Sequence, residues 1–400
     1  MKQLNRLLLG AAMLLAPLIS TLAQSTWETV DAITPWRGRA IAADSAGNFI
    51  SLAIDNSTST TGPVSTDVSL SIDTGLNWQT VGSIPGYALK LTAAQEGTLY
   101  ASGNRSATVS GKAFVWFSLD HGTNWTVSDP WAGQTQTNAF LAMDLAVGNS
   151  GVVYVCGQVF ASSRWVVRKG QPTPSGISWS TVDNFPASSG QPQSAYVRPA
   201  TAPGSADEVF VAGIAGGLWT VRRSTDGGAI WVTVDGNNQG SALSVAAGTN
   251  GDIYVVGTFT MSSTITNQTI VHHKVVVTYT TTSESGWLVR KSTDDGASWI
   301  NVDFVVNGHP APARSLTVDA FGRVFAVGSL YTASYTWLVR GSADGGATWT
   351  TTDTFLPAGY TWSQAFGAAS DALGNVCVIG DVENGTSSAN LAPIRRLPAL

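Results

Sequence analysis

Charge is scarce in this chain of 400 residues: Asp, Glu, Lys and Arg make up 12%, against about 25% in ordinary soluble domains. Bases are the rarer sign, 21 against 26 acids for a net charge of −5, which argues against nucleic acid as a partner, because such binders carry a basic surface. Beyond the first 25 residues or so, no apolar run approaches the roughly 20 residues of a membrane-spanning helix, so no membrane insertion is expected. Cysteine is nearly absent. Cys156 and Cys377 each sit inside an apolar, strand-like run far apart in the chain, which predicts buried free thiols rather than a disulfide or a nucleophile. The chain has four histidines. The adjacent pair His272 and His273 face opposite ways in a strand, so no metal site is expected, and no cofactor is implied. In place of these residues come 42 glycines, 15 tryptophans and abundant Ser and Thr, the composition of a turn-rich β protein.

Lys2 and Arg6 are followed by the apolar stretch Leu7 to Ile19 and then Thr21-Leu22-Ala23, with small residues where a signal peptidase inspects. Residues 1–23 therefore read as a signal peptide cleaved near Ala23, and the protein is expected to be secreted or periplasmic. No Cys follows the apolar run, which argues against a lipid anchor.

The remainder is repetitive. Ser-x-Asp-x-Gly-x-x-Trp recurs five times, with its acids at Asp73, Asp120, Asp226, Asp294 and Asp344, and an eroded copy survives at Gly176-Ile177-Ser178-Trp179. Around each copy lie four strand-like segments, which divides the chain into units 41–90, 91–140, 141–195, 196–244, 245–315 and 316–364. Residues 365–400 form a seventh unit that stops after the segment Ala392-Pro393-Ile394-Arg395. The missing last strand is found at the other end, in Trp27 to Asp31, so residues 27–40 complete it. Seven four-stranded units with a split last unit predict an all-β fold, one domain over 24–400: a seven-bladed β-propeller of antiparallel blades, closed by the N-terminal strand. Strands are lettered A to D from the axis outwards.

The recurring segment has the chemistry of a stapled turn between strands C and D. Asp accepts backbone N–H groups, Ser caps them, Gly permits positive φ and Trp covers the turn. Repeats spaced around a ring do not converge as paired catalytic carboxylates must, so these five Asp are structural. The motif resembles the Asp box of bacterial and viral sialidases, of the sortilin-type receptor propeller, of some xyloglucan hydrolases and of the photosystem II assembly factor. The resemblance spans essentially 25–400 and implies the propeller fold; in those families the Asp boxes lie on the face away from the active site. Sialidases also carry an Arg triad, an Arg-Ile-Pro segment and a Tyr paired with a Glu. The chain has no Arg-Ile-Pro, and no sialidase catalytic residue carries over to it.

A second pair of columns accompanies the motif. Arg168, Arg222, Arg290, Arg340 and Arg395 end strand C of units three to seven, while Asp183, Asp235, Asp303, Asp353 and Asp31 lie four residues after the Trp of the same units. These are expected to pair across strands C and D within each blade, Arg395 with Asp31 bridging the two termini.

A site is expected on the opposite face, where the B-to-C and D-to-A connections meet. Its D-to-A loops are assigned Trp36 with Arg37, Tyr87, Trp131, Phe185, His309, and Tyr360 with Trp362. Trp36, Tyr87, Trp131, Tyr360 and Trp362 are the candidate ligand-stacking residues. Unit five carries an excess of about 21 residues between strands B and C, read as an extra hairpin over 258–286. Few acids remain on this face: Asp55 and Asp67 in unit one, Glu284 in the hairpin, and Asp381 and Glu383 in unit seven. Asp55, Asp381, Glu383 and Arg37 are the candidates for glycoside chemistry, gathered at the seam between units seven and one. Three functions fit: a non-catalytic binder of a glycan or protein, an exo-glycosidase of sialidase type, and an assembly factor like the photosystem II propeller. An enzyme brings three Arg and two carboxylates into one axial pocket, whereas a binder presents aromatics and an apolar patch.

Overall fold

The computed structural model describes residues 26–33, 36–55, 65–104, 113–131, 140–148, 151–159, 162–186, 189–200, 202, 205–236, 240–271, 274–306, 309, 311–385 and 390–399. Residues 1–23, read above as a signal peptide, and the two adjacent histidines lie outside them. Among the described residues, seven antiparallel sheets of four strands form, each a run of consecutive strands save one. Blade 1 comprises Trp36–Ala43, Phe49–Asp55, Thr66–Ser71 and Gln79–Ile84. Blade 2 comprises Tyr87–Ala93, Leu99–Asn104, Ala113–Ser118 and Thr126–Ser128, and blade 3 Phe140–Val147, Val153–Val159, Arg164–Thr173 and Gly176–Phe185. Blade 4 comprises Gln191–Arg198, Glu208–Ala215, Leu218–Ser224 and Val232–Asp235, and blade 5 Gly240–Ala247, Ile253–Val271, Lys274–Ser292 and Ile300–Val306. Blade 6 comprises Ala313–Val318, Val324–Tyr331, Tyr335–Ser342 and Thr350–Phe355. Blade 7 is Trp362–Ser370, Val376–Glu383 and Ala392–Leu397, with Glu28–Ile33 as its outer strand, paired antiparallel so that Ile33 faces Ala392 and Glu28 faces Arg396. The ring closes as the split repeat requires.

Each sheet is too small to bury a core alone, so the core is divided among the seams. The buried apolar clusters each span two neighbouring blades, one cluster per seam. Trp165, Trp219, Trp287 and Trp337, all on strand C, are 0–1% exposed and face the next blade. At about 25 cal/mol per Å² over the 150–250 Å² a Trp buries, each contributes about 4–6 kcal/mol against its seam. Cys156 and Cys377 are buried free thiols, their ionisation pushed up by burial.

The repeated turns have the expected geometry. In blade 1, Asp73 accepts the Asn77 amide at 2.9 Å and its side chain at 2.6 Å, Ser71 Oγ accepts the Gly75 amide at 3.0 Å, and the Trp78 indole donates to the Gly75 carbonyl at 3.1 Å. Gly75 has φ 87°, a conformation that glycine adopts without strain.

The Arg–Asp columns pair differently from the expectation. Arg222 grips Asp183 (2.6 and 3.0 Å), Arg290 grips Asp235 (2.8 and 3.3 Å), Arg340 grips Asp303 (2.9 and 2.7 Å) and Arg395 grips Asp353 (2.6 and 2.7 Å). Every one of these clasps joins a blade to the one before it. A β-bulge is the reason. In blade 4, Arg222 faces Thr233 but Val221 faces Asp235, so Val234 is extra. One inserted residue flips the parity of alternation, and Asp235 points to the far side of the sheet from Arg222. Within its own blade each Arg bonds the uncharged residue two positions before the Asp: Thr233, Asn301, Thr351 and Thr29. The termini are therefore bridged by Arg395 to Thr29 and by Arg396 to Glu28 (2.9 Å), not by Arg395 to Asp31. The same bulge lies between Thr29 and Asp31, and the neighbouring blade 1 has Ser69 in the Arg column; burial pushes the Asp31 carboxyl up. Arg168 finds the Pro130 carbonyl at 2.7 Å and the Trp131 ring in blade 2.

Candidate functional site

Strand A of every blade carries one residue more than strand B can match. The extra residues are Arg39, Leu89, Met143, Gln193, Leu243, Arg314 and Phe366. A bulge bends the strand and re-aims one side chain, and all seven line a single axial cavity of about 260 Å³ together with Lys90. Below it the axis continues into a space of about 310 Å³. In six blades strand B makes room for the bulge with glycine, while in blade 1 the glycine is Gly38 on strand A, opposite Ala53. A β-carbon at Gly103, Gly157, Gly213, Gly257 or Gly380 would collide with a strand A carbonyl oxygen, and one at Gly328 with that of Pro312, the residue before strand A.

Five bulge residues are uncharged and two, Arg39 and Arg314, are cationic, flanking Phe366 across blades 1, 6 and 7. Both guanidinium carbons lie 4.7 Å from the Phe366 ring centroid. Burial, with Arg39 nearby, pulls Arg314 down to about 10, and its Nε is buried with no hydrogen-bond partner among the described residues. Arg39 Nη1 meets Asp381 Oδ2 at 3.0 Å. Asp381 is 0% exposed and burial pushes its carboxyl up to about 6 against the pull of Arg39 and Arg37, while its Oδ1 has no partner among the described residues. Arg37 Nη2 pairs with Glu383 Oε1 at 2.7 Å, and its Nε is also unpartnered. Among the described residues, the charged side chains with an unpartnered buried atom are Arg37, Arg314 and Asp381, all within this cluster.

The seam expected to gather Arg37, Asp381 and Glu383 does so. Asp55 ends strand B of blade 1 opposite Trp36 in the register; the side chains of both lie outside the described residues. Trp36, Arg37, Tyr87, Phe185 and Trp362 correct the loop assignment, because each is the first, second or last residue of a strand. Trp362 faces Glu383 in the register and begins an aromatic string: its ring lies 6.4 Å from Tyr335, Tyr335 lies 5.0 Å from Tyr331, and Tyr331 lies 4.1 Å from His309. Tyr87 and Tyr360 are half-buried and make no ring contact with this string among the described residues. Trp131 fills the seam between blades 2 and 3, stacked on Phe140 at 5.5 Å beneath Arg168. Phe185 does the same beneath Arg222 at 4.1 Å. The excess of unit five is a ribbon continuing two 19-residue strands, Ile253–Val271 and Lys274–Ser292.

Arg39, Arg314, Phe366, Tyr331 and Tyr335 escaped sequence reasoning. A signal existed for the first three: aligning strand A across units puts Arg39 and Arg314 in a column with Leu89, Met143, Gln193, Leu243 and Phe366. What the alignment does not reveal is that this column faces the axis, because the bulge decides it.

The cluster can hold an anion against a flat apolar surface. Arg37, Arg39, Arg314 and Lys90 outnumber Asp381, Glu383 and Asp144 by one charge when all are ionised, and the Phe366 ring is the flat surface.

No protein-family profile matches the chain, and no curated protein does. A solved structure from Dyadobacter fermentans DSM 18053, titled as a protein of unknown function, is similar in structure with a TM-score of 0.44 and 12% identity, covering 93% of this chain and 99% of its own.

Proposed function

We propose that this is an exported binding protein that takes an anionic glycan at the axial mouth formed by blades 6, 7 and 1. The observation that carries the reading is Phe366 flanked by two guanidiniums, one of which keeps a buried, unpartnered N–H. A buried cation short of acceptors is costly, and a ligand carboxylate or sulfate ester meeting the cavity-lining guanidiniums supplies the counter-charge. The string from Trp362 to His309 extends the contact surface outward for neutral rings. The resemblance to sialidase propellers supports a sugar as ligand, and the leader-like residues 1–23 support export.

A second reading, an exo-glycosidase of sialidase type, draws support from Arg37, Asp381 and Glu383 clustering behind the cavity-lining Arg39 and Arg314, and from an acid with a raised pKa. Against it, Asp381 is enclosed behind Arg39 and Glu383 is held by Arg37, so neither carboxylate is presented to a glycosidic oxygen. Calorimetric titration with glucuronate, galacturonate and N-acetylneuraminate, against the neutral sugars glucose and galactose, tests the binding reading. Acidic sugars alone are expected to bind, and Arg314→Ala to weaken them by about 10–100-fold, the worth of one charge-assisted contact. Equal binding of glucose and glucuronate overturns it, and turnover of a fluorogenic sialoside that Glu383→Ala abolishes establishes the rival.

A further inference from the structure

We propose that Asp381 is a positioning residue for Arg39 and that an anion entering the axial mouth is taken up together with a proton, which settles on the Asp381 carboxylate. The inference rests on the anion-binding reading above and adds its regulation. Asp381 is wholly enclosed, and its single described hydrogen bond is the one from Arg39, leaving Oδ1 without a partner. The groups facing it are Arg39 and Arg37 from strand A of blade 1, Glu383 from its own strand, and Arg314 from strand A of blade 6, which lies beside Tyr335. Its neighbour across the register, Gln364, donates its amide to Ser329. One guanidinium thus serves two sides: Arg39 steadies Asp381 at its back and lines the cavity at its front.

An anion bound at the front shares the Arg39 charge with a carboxylate that is already under-compensated, and the two negative charges repel through a low-dielectric wall. Protonating Asp381 removes that repulsion, so bound anion raises the carboxyl above the value near 6 that burial gives it in the empty site. By linkage the proton and the anion favour each other. Affinity is therefore flat and tight below about pH 6 and falls as pH rises above it, by at most about tenfold per pH unit for a single proton.

The test is calorimetry of the full chain with sulfate and with glucuronate, whose own charges are constant over the range, in buffers of differing ionisation enthalpy at about pH 7. Wild type is expected to take up a fraction of one proton per anion, with Kd rising with pH as stated. Asp381→Asn, near-isosteric and unable to ionise, is expected to bind both anions with no proton uptake and a flat pH profile. A purely structural role for Asp381 predicts no buffer dependence in wild type. Binding without proton uptake in wild type overturns the coupling and leaves the anion site standing. Failure of both anions to bind at any pH overturns the anion site itself. Should Asp381→Asn fail to fold, the wild-type proton count decides alone.

Discussion

The Arg–Asp clasps make opposite predictions depending on which blade each partner serves, and Arg340 separates them. Its guanidinium holds Asp303 of the preceding blade at 2.9 and 2.7 Å, while Asp353 of its own blade is held by Arg395 at 2.6 and 2.7 Å. The Arg340 and Asp303 side chains are 18% and 7% exposed, so removing one leaves the other poorly solvated, at a cost of about 3–5 kcal/mol. Removing both leaves no orphan charge and costs much less than the sum of the two. Arg340→Met with Asp303→Ala should therefore show a coupling energy of about 2–3 kcal/mol, whereas Arg340→Met with Asp353→Ala should add to within about 0.5 kcal/mol. The assay is urea unfolding followed by tryptophan fluorescence, with equal m-values required across the four members of each cycle. A coupling found in the second cycle and absent from the first refutes the inter-blade assignment and the bulge argument beneath it.

Other outcomes follow from the same geometry. Asp73, Asp120 and Asp344 are drawn down to about 2 by hydrogen bonds from their own turns. Their folded values lie below the unfolded 3.8, so the stability they lend is complete above about pH 4 and is lost as pH falls towards 2. Denaturant titrations over that window should show the loss, and Asp120→Asn should flatten part of it; an identical acid profile would sink the staple account. Gly257→Ala places a methyl against the Ser241 carbonyl oxygen and should cost about 1–3 kcal/mol by forcing the bulge to shift, read as a lower urea midpoint. An unchanged midpoint would mean that the bulge does not need its glycine.

The ring, its blade count and its closure were legible because each repeat announces its strands by alternation and five of them their turn by Ser-x-Asp-x-Gly-x-x-Trp. The leftover strand Glu28–Ile33 could then be matched to the unit lacking one. The seam bringing Arg37 to Glu383 was legible for the same reason, since units seven and one become neighbours once the ring closes. The pairing of Arg222 with Asp183 was not, because equal spacing in every unit fits partners within a blade and between blades equally well. Trp131 shows the same limit: its position places it on the right face, but only the stacking on Phe140 shows that it fills a seam.

By itself the sequence determined the repeat, and through it the fold, because seven copies of one pattern leave few ways to bury their apolar faces. The tertiary structure alone decided which side of each sheet a side chain takes. A single bulged residue inverts the alternation that sequence spacing assumes, and such bulges turn Asp235 towards the next blade and bring Arg39, Arg314 and Phe366 together at the axis.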